Sequence, residues 1–325
     1  MKISEIPFEP GKIVHKELEV GELHDGTFTS IPMAVINGTE KGSTVLVTAG
    51  VHGNIISAIE AARRISVMNP QKIRGRVAVI PMVNRPAFIA RTRSNVFENF
   101  PGPTNMTVSF PGDREGIFSQ RLAHVVSRDA LSDVDYYVDL CTGALGGCYA
   151  PYVVMYPMPA KLVTKVRDLA RAFGTRFIVD YSGKAPATIK GRPAMTALSN
   201  GIPAILSEGG EASKLDEAYV DVHVTGVNNV LKYLGMIDGQ PKLPSQQITL
   251  TRDLTIRANR GGFLRLKAGL GEKVSEGQVL ADITDVFYHE VEEILSPADG
   301  YLFYVTTTAS VSSGDRVAKI GIPSQ

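Results

Sequence analysis

Residues 44–54 read Thr-Val-Leu-Val-Thr-Ala-Gly-Val-His-Gly-Asn. The first six residues form a continuous β-type run, which is typical of a strand buried in a parallel sheet. Residues 55–65 follow with apolar side chains at helical spacing and predict a helix. Two arginines stand near its end, where positive charges stabilise a helix C-terminus. A strand, a glycine-containing turn that holds His52, and a helix together predict the first unit of an α/β fold.

The same alternation of strands and helices continues along the chain. Further strands are predicted at residues 77–83, 136–140, 153–155, 177–179 and 204–206. Helices are predicted at residues 118–126, 161–173, 194–200 and 217–234, whereas residues 85–112 read as a long irregular segment of the kind that is usually functional. Alternation of this kind predicts a mostly parallel or mixed sheet with helices on both faces.

Three polar residues follow predicted strands of this sheet. In such folds the site lies outside the carboxyl ends of the strands, so His52, Cys141 and Glu208 are expected to meet at one edge. A histidine between glycines at such a turn suits a metal ligand, although a lone histidine in a loop is more often ordinary. Glu208 can also be a helix-initiating acid near a turn, which is common, and Asp139 can be a buried acid held by a backbone or histidine partner.

The sequence pattern changes after a proline-containing linker at residues 240–246. Short β-type runs are broken by glycines, and two half-units, Lys273–Gly277 and Ser310–Gly314, each place a valine three residues before a glycine. We therefore predict a small all-β module at residues 247–325. It follows an α/β domain at residues 1–240, whose first 40 residues form a β segment.

Composition and charge predict the partners and the location of the chain. The 325 residues are 44% hydrophobic and carry a formal net charge of +1, so neither nucleic acid nor a membrane is expected as a partner. An acid and a proline stand where a signal peptide would have its apolar core, which predicts a cytoplasmic chain. Its two cysteines, Cys141 and Cys148, are expected to be thiols. A small-molecule partner is expected, and a homo-oligomer is compatible with the sequence.

The order of these features resembles the succinylglutamate desuccinylase and aspartoacylase family, a branch of the zinc carboxypeptidase fold. Residues 48–54 resemble its Gly-x-His-Gly-[Asp/Asn]-Glu turn, and residues 139–143 resemble its Asp-Leu-His-Thr-Gly strand end. Residues 110–113 resemble the end of its Asn-Arg-x-Phe-Pro-Gly segment, and residues 205–210 resemble the strand that bears its general base. The C-terminal part is similar to its barrel-sandwich module, so the resemblance covers nearly the whole chain.

The resemblance implies a zinc-dependent hydrolase. It implies that His52 and Cys141 stand at metal-ligand positions and that Glu208 takes the proton of the attacking water. It further implies that Arg93 polarises the substrate carbonyl. Thr107 and Val108 fall where the family has the Asn-Arg pair that grips the substrate carboxylate.

The chain departs from the family pattern at the metal site. Ile55 replaces the glutamate of His-x-x-Glu and Cys141 replaces the second histidine, so two protein ligands remain where catalytic zinc normally has three. One hypothesis is a hydrolase that cleaves an amide or ester of a small acylated molecule with a modified or weak metal site. The alternative is a catalytically silent paralogue that binds a small ligand or a protein partner in the old cleft. A metal-free Cys141–His52 nucleophilic pair is a third hypothesis.

Overall fold

The computed structural model describes residues 2–98, 105–183 and 191–324 of the chain. Its strands up to the linker are β1 (Lys12–Glu22), β2 (Phe28–Asn37), β3 (Thr44–Thr48), β4 (Arg76–Ile80), β5 (Tyr136–Cys141), β6 (Gly147–Met155), β7 (Phe177–Asp180) and β8 (Ala204–Gly210). Its helices are α1 (Ile56–Ile65), α2 (Arg85–Ile89), α3 (Phe118–Val125), α4 (Val163–Phe173), α5 (Pro193–Ser199) and α6 (Glu217–Tyr233).

Further strands follow the linker. They are β9 (Ile248–Arg257), β10 (Gly262–Leu266), β11 (Lys273–Val274), β12 (Val279–Thr284), β13 (Glu290–Leu295), β14 (Gly300–Thr306), β15 (Ser310–Val311) and β16 (Arg316–Pro323). One sheet of twelve strands has the order β1-β2-β4-β3-β5-β8-β6-β7-β9-β16-β14-β11, and a four-stranded sheet has the order β13-β12-β10-β15.

The centre of the large sheet is parallel. Strand β3 pairs in parallel with β4 and with β5, and β5 pairs in parallel with β8. These strands are buried along almost their whole length, which explains their continuous apolar sequences. The predicted α/β fold with a mixed sheet is confirmed, because antiparallel pairs flank this centre on both sides.

Two elements differ from the sequence-based expectation. Strand β6 begins at Gly147 instead of Val153 and runs antiparallel to β8. Its first half was missed because Gly147, Cys148 and Pro151 break the β-type pattern. The short helix α2 lies inside the segment predicted as irregular, where the Asn84 side chain accepts a hydrogen bond from the backbone N–H of Ala87 and caps the helix.

The C-terminal strands enclose a hydrophobic cluster of their own, which includes Leu264, Ile283, Leu302 and Ile320. The two similar half-units place Val274 and Val311 in this cluster, and their glycines, Gly277 and Gly314, have φ of +78° and +89°. Backbone pairing nevertheless crosses the linker, since β9 pairs with β7 and β14 pairs with β6. The larger core also takes in Ile248, Leu250 and Phe303 from beyond the linker. We propose that residues 1–240 and 247–325 are two units joined by one sheet and by these shared core residues.

The lengths and hydropathies of the helices decide whether one of them could span a membrane. No helix in the described ranges combines the length and the apolar character that a membrane span needs.

Candidate active site at the carboxyl edge of the sheet

The parallel register brings the predicted site residues to one edge. In the β5–β8 pair Cys141 lies opposite Glu208, and in the β3–β5 pair Thr48 lies opposite Asp139. His52 lies four residues beyond Thr48, in the turn that leads to α1. The carboxyl ends of β3, β5 and β8 therefore share one site, as the strand pattern predicts.

Close backbone packing shapes the turn that carries His52. Gly50 has φ of +74°, and a Cβ at Gly53 would lie 2.1 Å from the carbonyl carbon of Ala87, so α2 packs directly on this turn. The His52 ring is 1% exposed, and its Nδ1 lies 3.2 Å from the backbone oxygen of Arg93. Because a carbonyl only accepts, Nδ1 carries the proton and the lone pair is on Nε2.

His52 is neutral at physiological pH. Burial lowers the pKa of its imidazole to about 3, and the positive charges of Arg93 and Arg192 add to this effect. A neutral imidazole with a free Nε2 lone pair can accept a proton or bind a cation. It cannot supply the imidazolium that would stabilise a neighbouring thiolate.

Cys141 is a buried thiol. Its Sγ donates to the backbone oxygen of Thr142 at 3.3 Å. Burial raises the pKa of this thiol above its usual value, and the nearby carboxylates of Glu208 and Asp139 raise it further against the opposing charges of Arg93 and Arg192. This environment works against a Cys141–His52 pair, because the nucleophile in such a pair is the thiolate.

Glu208 keeps a carboxylate at the end of β8. Its Oε2 accepts a hydrogen bond of 2.6 Å from the phenol of Tyr152 on β6. Burial and then the Glu208 charge raise the pKa of the Tyr152 phenol well above its usual value, so Tyr152 remains a hydrogen-bond donor. The antiparallel placement of β6 against β8, which the sequence pattern did not predict, supplies this partner.

Asp139 is a second carboxyl group beneath the site. Its Oδ1 accepts from the hydroxyl of Thr48 at 2.9 Å, and Thr48 also lies 2.6 Å from the phenol of Tyr137. Burial raises the pKa of Asp139 to about 7, although the hydrogen bond from Thr48 and the charge of Arg192 oppose the rise. The residue therefore titrates near neutral pH.

Two arginines add positive charge to this edge. Arg93 was expected from the resemblance, whereas Arg192, directly before α5, was missed because no strand end or spacing signal marks it. Burial alone would lower the pKa of the Arg192 guanidinium, but Tyr156, Glu208 and Cys141 raise it above its usual range. Its Nε is buried and has no hydrogen-bond partner in the described part of the chain. Such an atom is a donor available to an anionic ligand.

Thr107 and Val108 lie in a short turn, Met106–Val108, packed against residue 191. The Thr107 hydroxyl donates to Oδ1 of Asn105 at 2.7 Å, and the Val108 side chain is 40% exposed. An isopropyl group cannot pair with a carboxylate, and the threonine hydroxyl is already engaged. The carboxylate grip of the family pattern is therefore absent at these two positions.

The donor set at this edge does not fit a zinc site with three protein ligands. Ile55, at the position of the missing glutamate, is completely buried at the start of α1. Within residues 2–98, 105–183 and 191–324, no group of three His, Cys, Asp or Glu side chains is placed to share a metal ion. His52 and Cys141 remain as two candidate ligands, and Cys141 would have to lose its proton to serve as one.

Comparison with known proteins identifies a family and a characterised relative. The profile of the family described as "Succinylglutamate desuccinylase/Aspartoacylase catalytic domain" matches residues 41–234. The chain is 27% identical to the N-alpha-acetyl-L-2,4-diaminobutyric acid deacetylase of Halomonas elongata, over 97% of this chain and 93% of that protein.

Solved structures share the whole fold. The succinylglutamate desuccinylase/aspartoacylase of Rhodobacter sphaeroides superposes with a TM-score of 0.85 and 25% identity, covering 99% of this chain and 98% of that one. The product-bound ectoine utilization protein EutE (DoeB) of Ruegeria pomeroyi superposes with a TM-score of 0.85 and 22% identity, covering 98% of both chains. The matches to these two chains extend through the C-terminal strands.

Proposed function

Because the chain belongs to the succinylglutamate desuccinylase/aspartoacylase family, a family of amide-bond hydrolases, we propose that it cleaves an amide or ester bond of a small acylated molecule at a modified or weak metal site. The observation that carries the proposal is the retained Glu208 carboxylate. It lies at the end of β8 opposite Cys141 and accepts a 2.6 Å hydrogen bond from Tyr152.

The side chains at this edge divide the work of hydrolysis. Glu208 accepts the proton of the attacking water, and its hydrogen bond to Tyr152 holds the carboxylate in one orientation. Arg93 and Arg192 offer positive charge where a carbonyl oxygen becomes negative in the transition state. Arg192 also offers its unpartnered Nε to an anionic group of the substrate. A zinc ion, if bound, would be held weakly by His52 and Cys141 because a third protein ligand is missing.

Release of free amine tests this function. The purified chain is incubated with N-acetyl-2,4-diaminobutyrate, N-acetylaspartate and N-succinylglutamate, with and without added zinc. Glu208→Gln is expected to lower kcat by about 10²-fold or more, which is the usual contribution of a general base. Glu60→Gln on the surface of α1 serves as the matched control and should keep full activity. Equal rates for wild type and Glu208→Gln would reject Glu208 as the base.

A silent, ligand-binding paralogue is the second candidate. The buried Ile55 and the protonated Cys141 favour it, because both work against metal-assisted hydrolysis. It predicts that acylated amino acids raise Tm without amine release at any zinc concentration. Loss of that thermal shift in Arg192→Gln would place the ligand at the same edge.

A further inference from the structure

A polar cavity of about 440 Å³ lies where the C-terminal strands meet the loop after Cys141. Its wall includes Thr255 and Arg257 of β9, Arg316 of β16 and Tyr304 of β14, and residues 145–146 of the loop close one side. The backbone N–H of Thr307 donates to the oxygen of Gly146 at 3.0 Å and fixes the loop against β14. Two arginines and several hydroxyl groups in one cavity suit a ligand with oxygen acceptors.

Arg257 and Arg316 lie directly opposite each other in the antiparallel β9–β16 pair. Like charges at directly opposed positions destabilise a sheet unless something compensates them. No carboxylate of the described residues forms an ion pair with either guanidinium. Asp315 also lines the cavity, but its Oδ2 accepts from the backbone N–H of Ser312 at 2.7 Å. The two arginines and this carboxylate leave the cavity positively charged.

Within the described part of the chain, most hydrogen-bond donors of this arginine pair have no partner. Arg257 donates one N–H to the oxygen of Gly314 at 2.7 Å, which leaves most of its five donors free. The Nε of Arg316 is buried and has no partner within the part of the chain that the structure describes. The Arg316 guanidinium stacks 4.0 Å from the Tyr304 ring, which fixes its plane without neutralising its charge. The pair is thus held in place and incompletely satisfied.

A chain of aromatic contacts connects this cavity to the candidate active site. The ring centroids of Tyr304, beneath Arg316, and Tyr149 lie 4.7 Å apart. Those of Tyr149 and Tyr152, the partner of Glu208, lie 5.3 Å apart. Burial opposes the charge of Arg316, but Tyr149, Tyr304 and Glu208 raise the pKa of its guanidinium above the usual value. The cavity therefore lies beside the site and shares its electrostatic field.

We propose that Arg257 and Arg316 form an oxyanion site that binds a carboxylate or phosphate at the end of the substrate remote from the scissile bond. This inference rests on the proposed function and extends it to the substrate class. It also accounts for Thr107 and Val108, because the acidic group of the substrate is held by the C-terminal strands instead of by an Asn-Arg pair on the loop. The substrate is then an acylated molecule with an acidic group far from the amide or ester.

The first test measures anion binding without turnover. Inorganic phosphate and succinate are titrated into the full chain at constant ionic strength, by calorimetry and by thermal melts. Arg257→Gln and Arg316→Gln are each expected to raise Kd about tenfold and to remove most of the rise in Tm, since a charge-assisted hydrogen-bonding group is lost. Arg114→Gln, which removes the same charge outside this cavity, should bind as wild type does.

The stability of the unliganded variants separates binding from misfolding. Without an anion, Arg257→Gln should melt close to wild type, because relief of the like-charge contact offsets loss of the hydrogen bond to Gly314. Absence of phosphate and succinate binding in wild type, or equal binding in wild type and both variants, would overturn the proposal.

A competition experiment identifies the source of the oxyanion. In the Glu208→Gln background, N-acetylglutamate is titrated with and without saturating phosphate. A weaker apparent affinity in phosphate supports the assignment to the remote acidic group of the substrate, whereas unchanged affinity overturns it. Because every arm measures binding, a chain that binds at the arginines but hydrolyses nothing would reject only the proposed hydrolase.

Discussion

Protonation of Asp139 links the candidate site to the stability of the chain. A buried carboxyl with a pKa near 7 binds its proton more tightly in the folded than in the unfolded state. Its contribution therefore destabilises the fold progressively as pH rises from about 4 to about 7 and stays constant above that range. Relative to wild type, Asp139→Asn should gain stability over the same window, by up to about 4 kcal/mol, since each tenfold change in proton affinity is worth about 1.4 kcal/mol.

Urea unfolding of Asp139→Asn and wild type between pH 4 and 9 measures this difference. The amide oxygen that Asp139→Asn introduces can still accept the hydrogen bond from Thr48, so the comparison isolates the charge. A difference in unfolding free energy that does not change with pH would show that Asp139 remains ionised throughout.

Cys148 should react faster than Cys141, which is the reverse of the order expected if Cys141 were a catalytic nucleophile. Cys141 is buried and its pKa is strongly raised, whereas Cys148 is half-buried at the start of β6. Iodoacetamide at pH 8, followed by peptide mass spectrometry, is therefore expected to label Cys148 well before Cys141. Faster labelling of Cys141 would restore the nucleophile hypothesis.

At the scale of an element, the β3–α1 turn determines whether the site can hold zinc. Ile55→Glu with Cys141→His is expected to complete a shell of three ligands with His52 and to give tight zinc binding by calorimetry. Because Ile55 is completely buried, the carboxylate that replaces it would be buried without a partner in the metal-free double variant. The double variant should therefore melt below wild type and recover on addition of zinc.

Single variants control this restoration. Ile55→Glu alone should show the loss of stability with a smaller gain in zinc affinity, since Cys141 remains protonated. No gain of affinity in the double variant would mean that positions 52, 55 and 141 do not face a common metal.

Strands whose sequences are continuously apolar could be predicted from the sequence. Elements whose position depends on residues distant in sequence could not. Strands β3 and β5 were predictable because burial on both faces requires continuous apolar residues. The first half of β6 was not, because its pairing with β14 replaces the missing β-type signal. Arg192 was not predicted as a site residue for a related reason. Its position near Glu208 and Cys141 depends on how α5 packs, and the local sequence carries no signal of that packing.

At the scale of the whole molecule, Gly147 allows the C-terminal strands to pack on the site. A Cβ at this residue would lie 2.1 Å from the Tyr304 hydroxyl, and the Tyr304 ring is buried under Arg316. Gly147→Ala should therefore lower stability by about 1–3 kcal/mol, the usual penalty of overpacking. It should also weaken phosphate binding.

Gly183→Ala is the matched control for Gly147→Ala, because no atom of the described residues lies within 4 Å of its added Cβ. Thermal melts of both variants measure the comparison. A Gly147→Ala protein as stable as Gly183→Ala would show that the β6–β14 contact yields easily.

The pairing of β9 with β7 has a consequence for any shortened form of this chain. A polypeptide ending before the linker would leave the outer edge of β7 with bare backbone donors and acceptors. It would also uncover the stretch of β6 that β14 covers. Open strand edges recruit strands from other molecules, and the fragment would also lose Ile248, Leu250 and Phe303 from the main core, so it is expected to aggregate during expression. The C-terminal strands thus protect these strand edges from self-association as well as lining the cavity of Arg257 and Arg316.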